Sequence, residues 1–288
     1  MNVSDDLVAF NRTLTREVRT VNGVKTVIYL SPNFNDKINR RRPIILFIHG
    51  INGSHFGFIP LVKKLYRQDK PRLLLVDLPG HGDSSIPVWH DISNLQIWFT
   101  KLLDDLTDHS QAPDLIIAHS FGCYAVTPTN IPLIYITPVP KVSRIYQILA
   151  KTIFTTLAQF KSFTAFYNWT PFSALRGWIL LAHRTPANLK MQWQIARDDS
   201  STSAAQRKFQ LHLSAITNDE RTFANYQPNA IIVGKYDGIA GRRSLKRTKQ
   251  LFREADIHVF NSGHLPTTDA TDELSDIIRK YERQKIAR

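Results

Sequence analysis

Several short stretches of this chain are apolar almost without interruption, and each ends in polar or turn-forming residues. They are Ile44-Ile45-Leu46-Phe47-Ile48, Leu73-Leu74-Leu75-Val76, Leu115-Ile116-Ile117-Ala118, Ile131 to Ile136, Ala230-Ile231-Ile232-Val233 and Ile257-His258-Val259-Phe260. Runs of this length without polar alternation predict strands buried on both faces, as in a parallel sheet covered by helices. Arg16 to Leu30 alternates instead, around Val21-Asn22-Gly23-Val24, which predicts a hairpin. Phe58 to Arg67 carries apolar residues at helical spacing, and Leu95 to Leu106 is an amphipathic helix. A short helix begins at Phe121 and has to stop near Pro128. Residues 31–42 read as a polar, basic loop. Strands and helices alternating in this way imply parallel pairing through crossover helices, hence an α/β, doubly wound, mostly parallel sheet.

The alternation breaks between Thr137 and Tyr226. No strand-like run occurs there, and helical spacings recur in Ile145-Ile148-Leu149-Ile153, Trp178-Leu181-Ala182 and Phe209-Leu213-Ile216. The chain therefore divides into a core domain, residues 1–137 and 227–288, and a helical insertion, residues 138–226. The insertion is rich in aromatic residues: Phe154, Phe160, Phe163, Phe166, Tyr167, Trp169, Phe172, Trp178 and Trp193. Apolar residues at helical spacing usually build the core of their own unit, so most of these are expected inside the insertion. The competing expectation is that they line an apolar pocket.

Chemistry-bearing residues gather where the apolar runs end. The first run leads into His49-Gly50. The second leads into Asp77-Leu78-Pro79-Gly80-His81-Gly82-Asp83-Ser84, and the third into Ala118-His119-Ser120-Phe121-Gly122. The run at 230–234 leads into Lys235-Tyr236-Asp237, and the last into Asn261-Ser262-Gly263-His264. A buried strand followed by small-His-Ser-x-Gly is the pattern of a nucleophile elbow, in which a sharp turn holds a serine oxygen at the strand tip. Taken together, the His-Gly turn, the Asp-x-Pro-Gly-His-Gly-x-Ser loop and the order Ser, Asp, His resemble the α/β-hydrolase superfamily. The resemblance covers roughly residues 40–270 apart from the insertion, and departs from the usual elbow in having Ala118 as its first small residue.

The resemblance implies an α/β-hydrolase fold with the insertion as a helical cap, or lid. It implies a serine hydrolase in which Ser120 attacks, His264 takes its proton and Asp237 holds the imidazole. An imidazole suits that task near neutrality because its unperturbed pKa is about 6.5. The rival place for the acid, the end of the 131–136 strand, offers Thr137 and Pro138, so Asp237 stands. The oxyanion hole would use the backbone N–H groups of Phe121 and Ile51, with Asn52 as the alternative to Ile51. His49, His81 and His119 are expected to brace loops. The expected activity is carboxylic ester hydrolysis of a small-molecule substrate with an apolar acyl group. Thioesterase and carbon–carbon bond hydrolase are the enzymatic alternatives, although many of the latter carry Trp after the histidine where this chain has Leu265. A non-catalytic ligand-binding protein on the same fold is the alternative of another class. No cofactor and no metal are expected: the glycine loops fit neither nucleotide pattern, and no ligand spacing is present.

Composition narrows the picture a little further. A length of 288 residues, with 43% hydrophobic and 21% charged residues, suits one α/β domain with an insertion. The single cysteine, Cys123, excludes an intrachain disulfide and is expected to pack behind the elbow. The start of the chain lacks a secretory pattern, and no apolar run approaches the roughly 18 residues of a spanning helix, so a cytoplasmic location is expected. Lys and Arg number 37 against 24 Asp and Glu, a formal charge of +13. Part of this excess lies in Arg242 to Lys249, read as a helix after the Asp237 loop, and part at the C-terminus. The charge is expected to be a solvated face, with weak attraction to an anionic membrane or an acidic substrate as the sharper reading. No recognisable nucleic-acid motif accompanies it, so no specific nucleic acid is expected. The oligomeric state is not legible.

Overall fold

Each apolar run becomes a strand of a single sheet in the computed structural model, which describes residues 3–32, 34–140, 155–157, 159–199, 201–216, 227–239 and 241–286. The strands are β1 (Thr15–Val21), β2 (Val24–Leu30), β3 (Ile44–Ile48), β4 (Arg72–Val76), β5 (Leu115–His119), β6 (Leu133–Ile136), β7 (Ala230–Gly234) and β8 (Asp256–Phe260). They lie in the order β1-β2-β4-β3-β5-β6-β7-β8. The β1–β2 and β2–β4 pairings are antiparallel and the rest are parallel. The hairpin turn has Asn22 at φ 47° and Gly23 at φ 74°, the left-handed pair that matches strand twist in a two-residue turn.

The helices are α1 (Val3–Asn11), α2 (Ile59–Asp69), α3 (Ile92–Asp108), α4 (Gly122–Ala125), α5 (Lys161–Asn168), α6 (Thr170–Ile179), α7 (Pro186–Asp199), α8 (Ala204–Ile216), α9 (Gly241–Leu251) and α10 (Thr271–Ile286). Single helical turns lie at Thr155–Leu157 and Pro266–Asp269. Helices cover both sheet faces, which is why β3 needs no polar side. Its Ile45 and Phe47 pack with Leu61, Val62 and Leu65 of α2 and with Leu274 and Ile278 of α10. Its Leu46 and Ile48 pack with Trp98, Phe99 and Leu102 of α3 on the opposite face. Asp91 starts α3 earlier than its apolar stripe predicts, because its carboxylate accepts from the Asn94 N–H at 2.8 Å.

Three boundaries differ from the sequence expectation. Helix α4 stops at Ala125 because Val126 is already extended, ahead of Pro128. Strand β6 begins at Leu133, after Pro132, which has no N–H to give a ladder. Trp178, Leu181 and Ala182 do not share a helix, since α6 ends at Ile179. The start of the chain, for which no element was expected, forms the helix α1. It buries Leu7, and its Asp6 pairs with Lys63 and Arg67 of α2. Between β6 and β7 the described residues form helices and no strand. The Ile145–Ile153 spacing and Phe154 lie outside the described residues. Among the described residues, no helix is long and apolar enough to cross a membrane.

All the parallel strands point their carboxyl ends the same way. His49, Asp77, Ser120, Thr137, Asp237 and His264 each follow such an end, so the sheet delivers them to one edge. The topological switch lies between β3 and β5, where chain order reverses, and a crevice opens at that point in sheets of this kind.

Candidate active site

Ser120 sits directly after β5 with φ 50°, a left-handed conformation rare outside glycine. The turn that imposes it is tight. A Cβ on Gly122 would lie 2.5 Å from the His49 carbonyl oxygen, so only glycine lets α4 start against the end of β3. Ala118 is fully buried, and Cys123 packs behind the turn with Sγ 3.3 Å from the Ala118 oxygen. Burial pushes the Cys123 thiol well above its usual range, so it stays protonated there.

The structure brings Ser120, His264 and Asp237 into one hydrogen-bonded chain. His264 Nδ1 lies 2.7 Å from Asp237 Oδ2, and His264 Nε2 lies 2.9 Å from Ser120 Oγ. A carboxylate only accepts, so Nδ1 carries the hydrogen and Nε2 is left to accept from the serine hydroxyl. The other carboxylate oxygen of Asp237 accepts the Ile239 N–H at 2.8 Å. All three residues are buried. An oxygen nucleophile, a base and an orienting acid aligned in this way can open an acyl carbonyl.

Backbone contacts hold the histidine loop on both sides. The His264 carbonyl accepts from His119 Nε2 at 3.0 Å and from Thr137 Oγ1 at 3.1 Å. Thr137, at the strand end where a rival acid would stand, therefore grips the loop. The His264 N–H donates to the Leu180 carbonyl at 2.8 Å. A Cβ on Gly263 would lie 2.0 Å from that same Leu180 oxygen. Asp269 completes the junction, accepting from the N–H groups of Gly263 (2.9 Å), Ala182 (2.7 Å) and His183 (3.2 Å).

His49, His81 and His119 brace loops, His81 with Nδ1 2.9 Å from the Pro79 carbonyl oxygen. His49 Nε2 accepts from the Leu78 N–H at 3.0 Å, so its Nδ1 donates to the Gly50 carbonyl at 2.8 Å. Burial lowers its pKa against the pull of Asp77. Burial and the neighbouring His264 push His119 down to about 3, while burial and His49 do the same for His81. These rings are neutral at ordinary pH.

Asp77 is the hub of the loop that follows β4. It is fully buried and accepts from the His55 N–H (2.7 Å), the Asp83 N–H (2.9 Å) and His55 Nδ1 (3.1 Å). Burial alone would raise its pKa, but His55 and these donors outweigh that and pull it down to about 2. For His55, burial is likewise overcome by Asp77, and the net shift is upward.

The turn after β3 runs from Gly50 to Gly53, closed by the Gly53 N–H on the Gly50 carbonyl at 3.3 Å, with Asn52 at φ 58°. Asn52 is reached from the insertion: Arg207 of α8, fully buried, places Nη1 3.1 Å from Asn52 Oδ1. The same guanidinium donates to Asn168 Oδ1 (2.7 Å) and Gln210 Oε1 (2.8 Å). Gln210 and Gln206 then hold the carbonyls of Gly80 and Gly82, each at 2.9 Å. Sequence reasoning missed Asp269 and Arg207, because their partners lie far away along the chain.

A cavity of about 520 Å³ opens over Ser120 and His264, and Ile51, Asn52 and Phe121 are on its wall. This is the size of a small-molecule site. Of the insertion's aromatics, Phe163, Tyr167 and Phe172 line it. Tyr167 is also the buried centre of a small cluster with Leu211, so the two sequence expectations hold for the same few residues. Phe160, Phe166, Trp169 and Trp193 follow neither, being exposed.

Comparison with known proteins agrees with this fold. Residues 45–277 match the model of the alpha/beta hydrolase family, and the chain belongs to that family. It is similar in structure to an esterase from Exiguobacterium antarcticum, at 16% identity and TM-score 0.72, covering 93% of this chain and 100% of that one. It is also similar to the enol-lactonase from Burkholderia xenovorans LB400, at 13% identity and TM-score 0.71, covering 92% and 99%. A thermophilic esterase from Thermogutta terrifontis matches at 15% identity and TM-score 0.69, covering 94% and 99%. At such identities the likeness is one of fold.

Two outcomes follow from these contacts. The lowered Asp77 pKa contributes stability that is complete above the unfolded value of about 3.9 and is lost as pH falls toward about 2. Acid titration of urea unfolding should show this loss in the wild type and a smaller one in Asp77→Asn, which is itself less stable at neutral pH. A double-mutant cycle of Arg207→Ala and Asn52→Ala, read by urea unfolding, should give a coupling of about 1.5–3 kcal/mol, as for hydrogen bonds to a charged group. Additive losses would show that the contact contributes nothing.

Proposed function

We propose that this protein is a serine hydrolase that cleaves a carboxylic ester with an apolar acyl group. The observation that carries the reading is the chain Ser120–His264–Asp237, mounted on a serine with φ 50° at the floor of an apolar cavity. Ser120 Oγ attacks the acyl carbonyl carbon while its proton passes to His264 Nε2. Asp237, hydrogen-bonded to Nδ1–H, stabilises the imidazolium that forms. The carbonyl oxygen becomes an oxyanion, which the N–H groups of Phe121 and Ile51 receive, with Asn52 as the alternative donor. Removing one such donor typically costs on the order of a hundredfold in rate. Collapse of the intermediate breaks the ester C–O bond, and the leaving alcohol takes the proton back from Nε2. Water, deprotonated by the same nitrogen, then attacks the acyl-enzyme and releases the acid.

The insertion acts as the lid of this site. It closes the cavity with Phe163, Tyr167 and Phe172, and the Leu180 carbonyl meets the loop of His264. An apolar lining favours an acyl chain over a polar one, because apolar area removed from water stabilises binding by roughly 25 cal/mol per Å².

A fluorophosphonate probe should label the wild type and neither Ser120→Ala nor His264→Ala. With p-nitrophenyl esters, medium and long acyl chains should exceed acetate in kcat/KM, and each of those substitutions should lower kcat by about a thousandfold or more. Folded wild type that resists the probe and all the esters would shift the reading to a ligand-binding protein on this fold. A strong preference for acetate would overturn the apolar acyl assignment.

A further inference from the structure

The insertion carries a row of apolar side chains that its own interior leaves largely exposed. Phe166 and Trp169 pack together at 6.4 Å between ring centroids, and Phe166 meets Phe172 at 4.5 Å. From Phe172 the row continues along α6 through Leu175 and Ile179, at spacings that keep one helix face. Phe166, Trp169, Leu175 and Ile179 are 43% to 60% exposed, and Leu189 and Trp193 add exposed apolar surface on α7. Phe172 and Ile179 also line the cavity, so this outer row runs to its mouth. A contiguous exposed apolar row of this kind, with tryptophan and phenylalanine prominent, marks an interaction surface.

Charge says what lies against it. Residues 159–216 contain seven Lys and Arg but two Asp, in a chain of net charge +13. Lys161 lines a surface depression together with Trp169, and Arg184, Arg197 and Lys208 are also exposed. Asp198 is engaged by Ser54 Oγ at 2.7 Å. Aromatic and aliphatic side chains amid this excess of cations over carboxylates fit the boundary of an anionic bilayer, where rings bury among acyl chains and each cation near the surface meets lipid phosphate. A second copy of this chain would instead bring like charge to the same face.

We propose that the outer face of α5 and α6 docks this protein onto an anionic lipid bilayer, with the cavity mouth held at the surface. Docking stands apart from the hydrolase reading. That an acyl chain passes from the bilayer into the cavity rests on it.

The test is sedimentation of the full chain with vesicles of phosphatidylcholine, alone or mixed with phosphatidylglycerol, at low and high salt. Wild type should bind the mixed vesicles, bind phosphatidylcholine weakly and lose part of the binding at high salt. The triple substitution Phe166→Ser, Trp169→Ser, Leu175→Ser should reduce the bound-to-free ratio roughly tenfold or more, and Lys161→Glu should weaken it chiefly at low salt. Circular dichroism checks the fold of each variant. Brominated phosphatidylglycerol should also quench wild-type tryptophan fluorescence, which needs no variant. Wild type that leaves the mixed vesicles unbound, a folded triple variant that binds as well as wild type, or unquenched fluorescence would overturn the proposal. So would a wild-type dimer in sedimentation equilibrium that the triple variant dissolves. Absent probe labelling of Ser120 alongside intact vesicle binding would remove the hydrolase reading and leave docking in place.

Discussion

A Cβ on Gly122 would lie 2.5 Å from the carbonyl oxygen of His49 and 2.7 Å from that of Ile48, so the elbow and the end of β3 meet backbone to backbone. The rest of the site depends on that approach. It fixes α4 against the neighbouring strand, leaves Ser120 the left-handed conformation and sets the turn at Gly50 beside the serine. A Cβ on Gly50 would itself stand 3.2 Å from Ser120 Cβ. Strain of one to a few kcal/mol at such a residue persists only because the surrounding sheet over-determines it. Here β5 lies between β3 and β6 with its apolar residues fully buried, and the turn inherits that rigidity.

A second constraint is electrostatic. Asp77 holds a buried negative charge next to the sheet, and His55 and two backbone N–H groups compensate it. Gly82 is needed in the same knot, since a Cβ there would stand 2.2 Å from Asp77 Oδ2. This knot anchors Leu78, whose N–H fixes the His49 ring. One buried carboxylate thus orders the β4 loop and, through His49, the turn that faces Ser120. The bracing histidines His49, His81 and His119 are kept neutral by burial, while His264 pairs with the Asp237 carboxylate.

What could be read from the sequence follows the reach of the signal. The sheet was legible because strands buried on both faces have no polar positions to confuse the pattern, as in Ile44–Ile48. Ser120, Asp237 and His264 were legible because each follows such a run in the order of the family the chain resembles, and they lie within hydrogen-bond reach of one another. Helix α1 was not, since its burial rests on Leu7 and its anchoring on Asp6 pairing with α2, far along the chain. Asp269 and Arg207 were illegible for the same reason: the partners that join them across the insertion boundary, Ala182, His183 and Asn52, lie 86 to 155 positions away in sequence. Period alone also does not say toward what a helix turns its apolar face. Phe163 and Phe166 sit on the same helix, yet one lines the cavity and the other faces outward.

Among the described residues the insertion is fastened to the core at several places, Asp198 of α7 on Ser54 Oγ among them. Leu180 and Ala182 are tied to the His264 loop through its N–H and Asp269, and α8 is tied to the turn at Asn52 and the loop at Gly80. A flap hinged at one edge would have to break one of these fastenings to swing. Helices α5 and α6 carry Phe163 and Phe172, and Asn168 of α5 is itself joined to α8 through Arg207. These ties keep the histidine and asparagine loops in register with the helices above them. Cutting the insertion away to widen the entrance would unmoor the machinery it covers.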